Sequence, residues 1–362
     1  MKFSIDRAAF ARALKLAAAA ADAKSPMPAL AMVHLRADKT SVHVAATDLV
    51  VGIVGRVKAK VAKADSASVD ARAMLERVAS MPADEITVER AGSTLTITAG
   101  RARFSLPCVD GRDAPKILAT DAVHDDFDAA MVRAGFAGAL TAVCHDSTRF
   151  HLSGVYVDGV HFVATDGHRM LTRKIAAPLS GKGRIVPERG VTQILRILDG
   201  VATCGIAWTD HAMFVRVDET TLSIKLTDAQ FPPWGQVIPP TGRAVSVDRA
   251  ELADVIDRAR KVAGDSVAVV LSISVEADEI AIATANDDRG DYSDVVPLVA
   301  PSWSGKPLRI GVNGRFMSEA LSAGTTDTAT IQFPPDVKDP ELQPILITMG
   351  DQRGVVMPMR IP

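Results

Sequence analysis

The sequence contains few aromatic residues, few cysteines and no long apolar run. Aromatic side chains make up 4% of its 362 residues, so the core must be built mainly from alanine, valine, leucine and isoleucine. The three cysteines, Cys108, Cys144 and Cys204, are odd in number and widely spaced, which argues against a disulfide framework or zinc site. They predict buried thiols in a reducing cytoplasm. No apolar run approaches the roughly 18 residues of a membrane-spanning helix, and none is predicted.

Familiar catalytic motifs are missing as well, including the Walker loop, GxGxxG after a strand, HExxH and GxSxG. The best catalytic candidate is segment 165–170, where Asp166, His168 and Arg169 supply a carboxylate, an imidazole and a guanidinium. It lacks a nucleophile with a base, or a second carboxylate. Two interpretations stay open, a specialised surface and a strand-end turn in which Asp166 caps N–H groups and Gly167 has a positive φ. No enzyme activity, cofactor or metal is predicted.

Two sequence phrases recur with a period of about 120 residues. Phe3–Ala8 (FSIDRA) returns as Val245–Ala250 (VSVDRA), with a weaker copy near residue 127. Val42–Asp48 (VHVAATD) returns as Val160–Asp166 (VHFVATD), with a fainter copy near residue 280. This period is far longer than that of a solenoid, and each copy is long enough to hold its own core. The repeats predict three domains, at residues 1–120, 121–245 and 246–362.

Each copy is predicted to contain two helices set among antiparallel strands. An aspartate that can cap the free N–H groups precedes the first helix of every copy: Asp6, Asp128 and Asp248. Good helix starters also precede the second helix of every copy: Asp70, Pro187 and Asn313. Period-2 patterns such as those of residues 85–89 and 213–217 indicate the strands. The predicted class is α+β, with two helices packed on antiparallel sheet in each domain.

The net charge of −2 conceals a strong asymmetry along the chain. The first domain has 18 Lys and Arg against 12 Asp and Glu, the second has 12 against 13, and the third has 11 against 18. A basic domain and an acidic domain on one chain favour head-to-tail contact between subunits, because opposite charges steer such an encounter. Uncorrelated drift of three surfaces is the alternative.

An arginine follows the start of the second helix in all three copies, at Arg72, Arg189 and Arg315. The first helical turn favours acids, because the helix dipole is positive there. A polyanion that faces these helices would explain the arginines. The alternative is a long side chain that covers apolar surface while its charge finds a local acid such as Asp70 or Glu188.

Motifs in the middle and at the end of the chain resemble those of one family, the bacterial β sliding clamp, which is the processivity subunit of DNA polymerase III. They are VATDGHRM at 163–170, FPPW at 231–234 followed by VIP at 237–239, and VVMPMR at 355–360. The resemblance extends over the whole chain, including its length and three-domain period. It implies a head-to-tail homodimeric ring of six similar units, with helices around a central hole and sheets outside.

The resemblance implies three sets of functional residues. Dimer contacts between domains 1 and 3 are expected at Arg101, Arg103, Phe104 and Val262, near the acidic residues Asp287, Asp288, Asp291 and Asp294. Loose, sequence-independent contacts to double-stranded DNA are expected at Lys24, Arg72, Arg189 and Arg196. A pocket for short partner peptides is expected at Leu152, Thr165, Gly167, His168, Arg169, Met170, Pro232, Val237, Val355, Met357, Pro358, Met359 and Arg360.

The partners implied are the polymerase III alpha subunit, clamp-loader subunits and other proteins that carry a clamp-binding motif. Three features depart from the family pattern: Gln236 stands where arginine is common, Asp146 stands where a neutral polar residue is common, and Pro362 extends the usual terminus. These departures leave open a specialised paralogue, such as one that resists an inhibitor of the clamp.

Overall fold

The computed structural model describes residues 1–122, 124–240, 242–274, 278–299, 303, 306–333 and 343–361. These residues form two compact units. The first unit comprises Met1–Arg133 and Val186–Thr227, and the second comprises Ala134–Ile185 and Asp228–Pro362. The middle repeat is divided between the two units, because some of its strands join the sheet of the first repeat and others join a sheet of the third. Among the described residues no helix is both long enough and apolar enough to cross a membrane.

The predicted helices form at the predicted places. They are α1 (Arg7–Ala20), α2 (Ala71–Ala79), α3 (Ala129–Leu140), α4 (Glu188–Ile197), α5 (Arg249–Ala263) and α6 (Gly314–Ser322). The predicted aspartate caps are confirmed by hydrogen bonds of 2.7–2.8 Å, which the carboxylates of Asp6, Asp128 and Asp248 accept from N–H groups three residues later. Short 3₁₀ turns lie at Pro28–Ala31, Gly111–Asp113, Ser147–Leu152 and Trp234–Val237.

Strands of the first unit form one continuous antiparallel sheet. They are β1 (Lys2–Asp6), β2 (Met32–Ala37), β3 (Ser41–Thr47), β4 (Val51–Lys63), β5 (Asp65–Asp70), β6 (Glu85–Ala91), β7 (Thr94–Ala99), β8 (Ala102–Asp110), β9 (Asp125–Asp128), β14 (Thr203–Trp208), β15 (Ala212–Val217) and β16 (Thr220–Lys225). Their order is β1-β6-β7-β8-β5-β2-β3-β4-β16-β15-β14-β9, and β1 also pairs with β4. The β4–β16 pairing joins the first repeat to the middle one.

The second unit contains two antiparallel sheets. Its strands are β10 (Gly154–Gly159), β11 (His161–Thr165), β12 (Arg169–Lys174), β13 (Ser180–Pro187), β17 (Arg243–Asp248), β18 (Val269–Ile273), β19 (Glu279–Asn286), β20 (Gly290–Pro297), β21 (Leu308–Val312), β22 (Thr328–Phe333), β23 (Ile345–Met349), β24 (Gln352–Val356) and β25 (Pro358–Met359). The strand orders are β13-β10-β11-β12-β24-β23-β22-β17 and β20-β19-β18-β21-β25.

The core is mainly aliphatic, as the composition predicted, although several phenylalanines are fully buried in it. Phe10, Leu14 and Ala17 are fully buried on one stripe of α1, where they pack against the sheet of the first unit. The prediction of buried thiols is confirmed, because Cys108, Cys144 and Cys204 are all buried. Burial raises the pKa of the Cys204 thiol to about 11, and the nearby carboxylates of Asp128 and Asp126 act in the same direction.

Candidate functional site: the surface beside the Thr165–Arg169 turn

The turn that joins β11 to β12 is held by its own side chains. The Asp166 carboxylate accepts hydrogen bonds from the N–H groups of His168 (2.9 Å) and Arg169 (3.0 Å). The Thr165 hydroxyl donates to the Arg169 carbonyl (2.7 Å) and accepts from the Gly167 N–H (3.1 Å). Gly167 has a φ of 88°, which glycine adopts without strain. The turn interpretation is therefore confirmed, and the turn presents the exposed His168 side chain to solvent.

The C-terminal strand lies directly beside this turn. Strand β12 pairs with β24 in a register that places Arg169 opposite Val356 and Met170 opposite Val355. One residue further on, the Met357 N–H donates to the His168 carbonyl at 2.9 Å. The chain then continues into β25, which pairs with β21 of the other sheet in this unit. The two sequence motifs, 190 residues apart, thus form one surface.

The expected pocket residues divide into a buried group and an exposed group. Leu152, Met170 and Val355 are buried in one apolar cluster with Phe231, whose ring stacks on Tyr156 at a centroid distance of 4.6 Å. The other expected pocket residues are less buried. The exposed ones are Gly167, His168, Val237, Met357 and Arg360, and the half-buried ones are Thr165, Pro232, Pro358 and Met359. The buried group can form a floor, and the other residues can contact a ligand.

Arg169 differs from the other expected pocket residues because its charge is internal. Its side chain is only 6% exposed and forms ion pairs with Asp166 and Glu319. It also donates to the Thr141 carbonyl at the end of α3, and its guanidinium lies 4.5 Å from the centre of the Phe316 ring. Arg169 therefore ties the turn to α3 and α6, and its guanidinium is already occupied.

A matching arrangement occurs in the first unit, but its arginine belongs to helix α4 and not to the turn. Asp48 occupies the position of Asp166 in the earlier copy of the turn, and its carboxylate is paired with Arg189 of α4. Arg189 also donates to the Ala21 carbonyl (3.4 Å), and Gln193 donates to the Ala19 carbonyl (2.8 Å). Ala19 corresponds to Thr141 by the repeat offset, so a side chain satisfies the matched carbonyl in both junctions, but the donor is Gln193 of α4 in the first and Arg169 of the turn in the second.

Sequence reasoning did not identify Glu319, Phe316 or Gln193 as important residues. They lie on the second helix of a repeat and make their contacts with the preceding repeat. The available signal was positional, because Gln193 and Glu319 both stand six residues after the matched helix starters Pro187 and Asn313.

The residues expected to contact DNA all lie in the first unit, where α1 packs against both α2 and α4. Lys24 and Arg196 are exposed and have no carboxylate within ion-pair distance in the part of the chain that the structure describes. Arg72 is 88% exposed but pairs with Glu76 at 2.9 Å. Arg189 is paired with Asp48. Arg72 thus pairs with a local acid, as the second interpretation expected, whereas the carboxylate bound to Arg189 comes from the preceding repeat.

The residues expected at a dimer interface lie on two sheet edges and one helix. Phe104 is 37% exposed, and Arg101 and Arg103 beside it are exposed. The first half of β8, which contains Arg103 and Phe104, pairs only with β7 among the described strands. Strand β20 of the second unit is also an edge strand, and Val262 is half-buried on α5. Of the four expected acids, Asp294 is already bound to Arg258 (3.1 Å) and Tyr292 (2.8 Å).

An open cleft of about 450 Å³ lies elsewhere, on the first unit. Its charged side chains largely neutralise each other, since Lys60 pairs with Glu85 at 2.9 Å and Arg56 lies 4.0 Å from Glu219. Within the described ranges, no group of His, Cys, Asp and Glu side chains could hold a metal ion. The Thr165–Arg169 turn instead combines exposed side chains with a buried apolar cluster.

Comparison with known proteins agrees with these features. Three family models match in succession: the N-terminal domain of the DNA polymerase III beta subunit over residues 1–118, its central domain over 133–233 and its C-terminal domain over 236–360. The beta sliding clamp of Pseudomonas putida is 26% identical over the full length of both chains. That of Synechococcus elongatus is 28% identical, with 96% of each chain covered.

Solved structures give the same result for the fold. The DNA polymerase III subunit beta of Pseudomonas aeruginosa superimposes with a TM-score of 0.89 at 26% identity and covers all of both chains. The sliding clamp of Caulobacter crescentus superimposes with a TM-score of 0.90 at 24% identity, again over all of both chains.

Proposed function

This chain belongs to the DNA polymerase III beta subunit family, and from that premise we propose which of its surfaces bind DNA, the second subunit and partner proteins. The chain has the three-domain clamp fold and is a sliding clamp, a non-catalytic processivity factor that tethers the polymerase to duplex DNA. The sequence repeats support domain boundaries near residues 120 and 245. Its place of action is the cytoplasm, where bacterial DNA is replicated.

Partner proteins bind in a groove that we place between the Thr165–Arg169 turn and the C-terminal segment from Val355 to Arg360. The observation that carries this proposal is the hydrogen bond from the Met357 N–H to the His168 carbonyl (2.9 Å), which joins the two motifs into one surface over an apolar floor. A mostly apolar surface with a few polar groups is the usual composition of a ligand site. Methionines such as Met357 and Met359 adapt to different partner side chains. The partners are the polymerase III alpha subunit, clamp-loader subunits and other proteins with a short clamp-binding motif.

Two chains form a head-to-tail ring in which the β8 edge of one subunit meets the third domain of the other. The half-paired β8 and the edge strand β20 support this arrangement, because unpaired strand edges are natural sites for β-sheet extension. Phe104 supplies an apolar anchor, and Val262 is its proposed counterpart. Opposite charge on the first and third domains steers the encounter.

DNA passes through this ring and contacts the first unit through Lys24 and Arg196, whose charges are free in the described structure. Arg72 contributes when it exchanges Glu76 for a phosphate, since an exposed ion pair of this kind is weak. Arg189 contributes least, because Asp48 already holds it. Contacts to phosphates carry no sequence information, which suits a protein that slides.

Primer extension on a long, singly primed circular template tests the function and the groove together. With its cognate polymerase and clamp loader, the wild-type protein is expected to convert short products into full-length ones. Met357→Asp should abolish this effect while gel filtration with light scattering still gives a dimer of twice 38.3 kDa. The matched control is Arg353→Asp, at an exposed position of strand β24, which directly precedes Met357. This variant should retain processivity. Full processivity with Met357→Asp would exclude the groove as the partner site.

A further inference from the structure

The fold of the first unit does not require a leucine at position 49. Leu49 follows Asp48 in the turn between β3 and β4, has a φ of 75° and is 53% exposed. The left-handed region is unfavourable for a side chain with a Cβ, and the equivalent residue of the second copy of the turn is Gly167. Val50 beside it is also exposed, at 38%. An apolar residue that is both strained and exposed contributes nothing evident to the core, and such outliers concentrate at functional sites.

The backbone around Leu49 reproduces the framework of the groove described above. The Asp48 carboxylate accepts from the N–H groups of Val50 (2.9 Å) and Val51 (2.6 Å), as Asp166 does from His168 and Arg169. Strand β4 pairs with β16 as β12 pairs with β24, with Val51 opposite Ile224. The Lys225 N–H donates to the Val50 carbonyl at 2.8 Å, which is the counterpart of the bond from Met357 to His168.

Several side chains in this first copy of the framework differ from the matching side chains of the second copy. Gly52 stands in the position of Met170, and Ile117 from the segment after β8 fills the space above it, because a Cβ on Gly52 would lie 2.5 Å from the Ile117 side chain. This contact places the next residue, Leu118, near the turn, and Leu118 is 49% exposed. Lys116 and Lys225 are exposed and have no carboxylate partner among the described residues. Leu49 and Val50 thus lie in the turn, Lys225 is bound to it through its N–H group, and Lys116 and Leu118 flank the residue that packs on Gly52.

We propose that Leu49, Val50 and Leu118, with Lys116 and Lys225, form a second docking site, for an extended peptide segment that carries apolar and acidic side chains. The apolar residues bind the hydrophobic side chains of the segment, and the two lysines pair with its carboxylates. The argument from the shared framework rests on the proposed groove at His168 and Met357. The second site offers fewer side chains than the first, so we expect it to bind more weakly and to hold a second segment of a partner.

The site is tested with the full-length protein carrying Met357→Asp, which disables the first groove, and with a fluorescent ten-residue peptide of alternating leucine and glutamate. We expect a dissociation constant on the order of 1 mM or somewhat below, measured by anisotropy, with NMR shift changes at the methyl groups of Leu49, Val50 and Leu118. A peptide of alternating leucine and lysine should bind at least tenfold more weakly. A parallel titration with a clamp-motif peptide separates the two sites: a failure of the groove proposal leaves wild-type and Met357→Asp proteins with equal affinity for that second peptide.

Leu49→Gly is the decisive variant, because glycine relieves the left-handed strain while it removes the side chain. We expect an unchanged or higher melting temperature together with at least a tenfold loss of peptide affinity. Val299→Ser, at an apolar residue that is 60% exposed and outside the patch, is the matched control and should leave affinity unchanged. Equal binding by Leu49→Gly, absence of the methyl shifts, or displacement of the peptide by a stoichiometric DNA duplex would overturn the proposal, and the last result would assign the patch to nucleic acid.

Discussion

Arg169→Val should both destabilise the second unit and weaken peptide binding, although the guanidinium faces the interior. The side chain is 6% exposed and is shared by two carboxylates, a carbonyl and the Phe316 ring. Its removal leaves Asp166 and Glu319 close together without a cation. The turn that bears His168 then loses its connection to α6.

The size of the effect follows from the burial of the carboxylates. Removing one partner of a buried ion pair costs about 3–5 kcal/mol. Asp166 and Glu319 are 17% and 30% exposed, so they retain some contact with water and the cost should lie near the lower end, about 3 kcal/mol. For a cooperative unit of this size, that loss corresponds to a decrease of roughly 6–12 °C in melting temperature. Peptide affinity should fall at least tenfold, because the bound form of the turn becomes less populated.

A second substitution should restore much of the loss. Arg169→Val with Glu319→Gln gives this junction the residues of the first one, where Val51, Gln193 and Arg189 occupy the three matched positions. Asp166 could then pair with Arg315 of α6, as Asp48 pairs with Arg189. Arg315 is available for this exchange, since its present contact with Asp265 is 3.6 Å long and Asp265 is 72% exposed.

Differential scanning calorimetry and anisotropy with a clamp-motif peptide measure the two effects on the same samples. Arg353→Val, an exposed arginine on the adjacent strand, is the control and should change stability by no more than about 0.5 kcal/mol. An Arg169→Val protein that melts at the wild-type temperature would refute the role of the ion pairs in stability. Reduced stability with unchanged peptide affinity would show that the turn does not depend on them for binding.

Three further predictions concern the dimer interface, the contacts to DNA and the buried thiol of Cys204. Phe104→Ala should raise the dimer dissociation constant at least 30-fold in sedimentation experiments, about 2 kcal/mol, whereas Arg101→Ala should mainly slow association; an unchanged constant for Phe104→Ala would move the interface elsewhere. Arg196→Glu should shorten retention on nicked circular DNA more than Arg72→Glu does, because Arg72 already pairs with Glu76; the opposite order would show that Arg72 exchanges its partner freely. Cys204 should resist a thiol reagent at pH 8 in the native protein, since burial raises its pKa to about 11; rapid labelling without unfolding would contradict its burial.

The sequence was sufficient for the features that depend on local chemistry. The helix caps at Asp6, Asp128 and Asp248 follow from the hydrogen bonds of a single turn, and each is seen in the structure. The turn at Thr165–Arg169 follows from Asp166 and Gly167 in the same way. The three-domain class followed from repetition, which needs no knowledge of the contacts between repeats.

Contacts between repeats could not be predicted in this way. The resemblance implies that Arg169 belongs to the pocket, because it lies in the motif at 163–170, but the motif does not indicate that its side chain is buried. Its burial depends on Glu319, which is 150 residues away and belongs to a different repeat. Strand pairing also divided the middle repeat between two compact units, because β16 pairs with β4 while β12 pairs with β24. Hydrophobic periodicity indicates which face of a strand is buried but does not indicate which repeat supplies the neighbouring strand.

The two junctions explain why one fold can be repeated and still present different surfaces. Both satisfy the end of a first helix and the aspartate of a turn with one arginine, but the arginine comes from α4 in the first and from the turn itself in the second. An arginine within the turn pulls residue 169 inward and leaves its neighbours, His168 and Met170, beside the C-terminal strand. In the first junction Val51 takes that place, and Gly52 with Ile117 closes the equivalent space. The position of a single paired arginine thus changes which side chains each copy of the same framework presents beside the neighbouring strand.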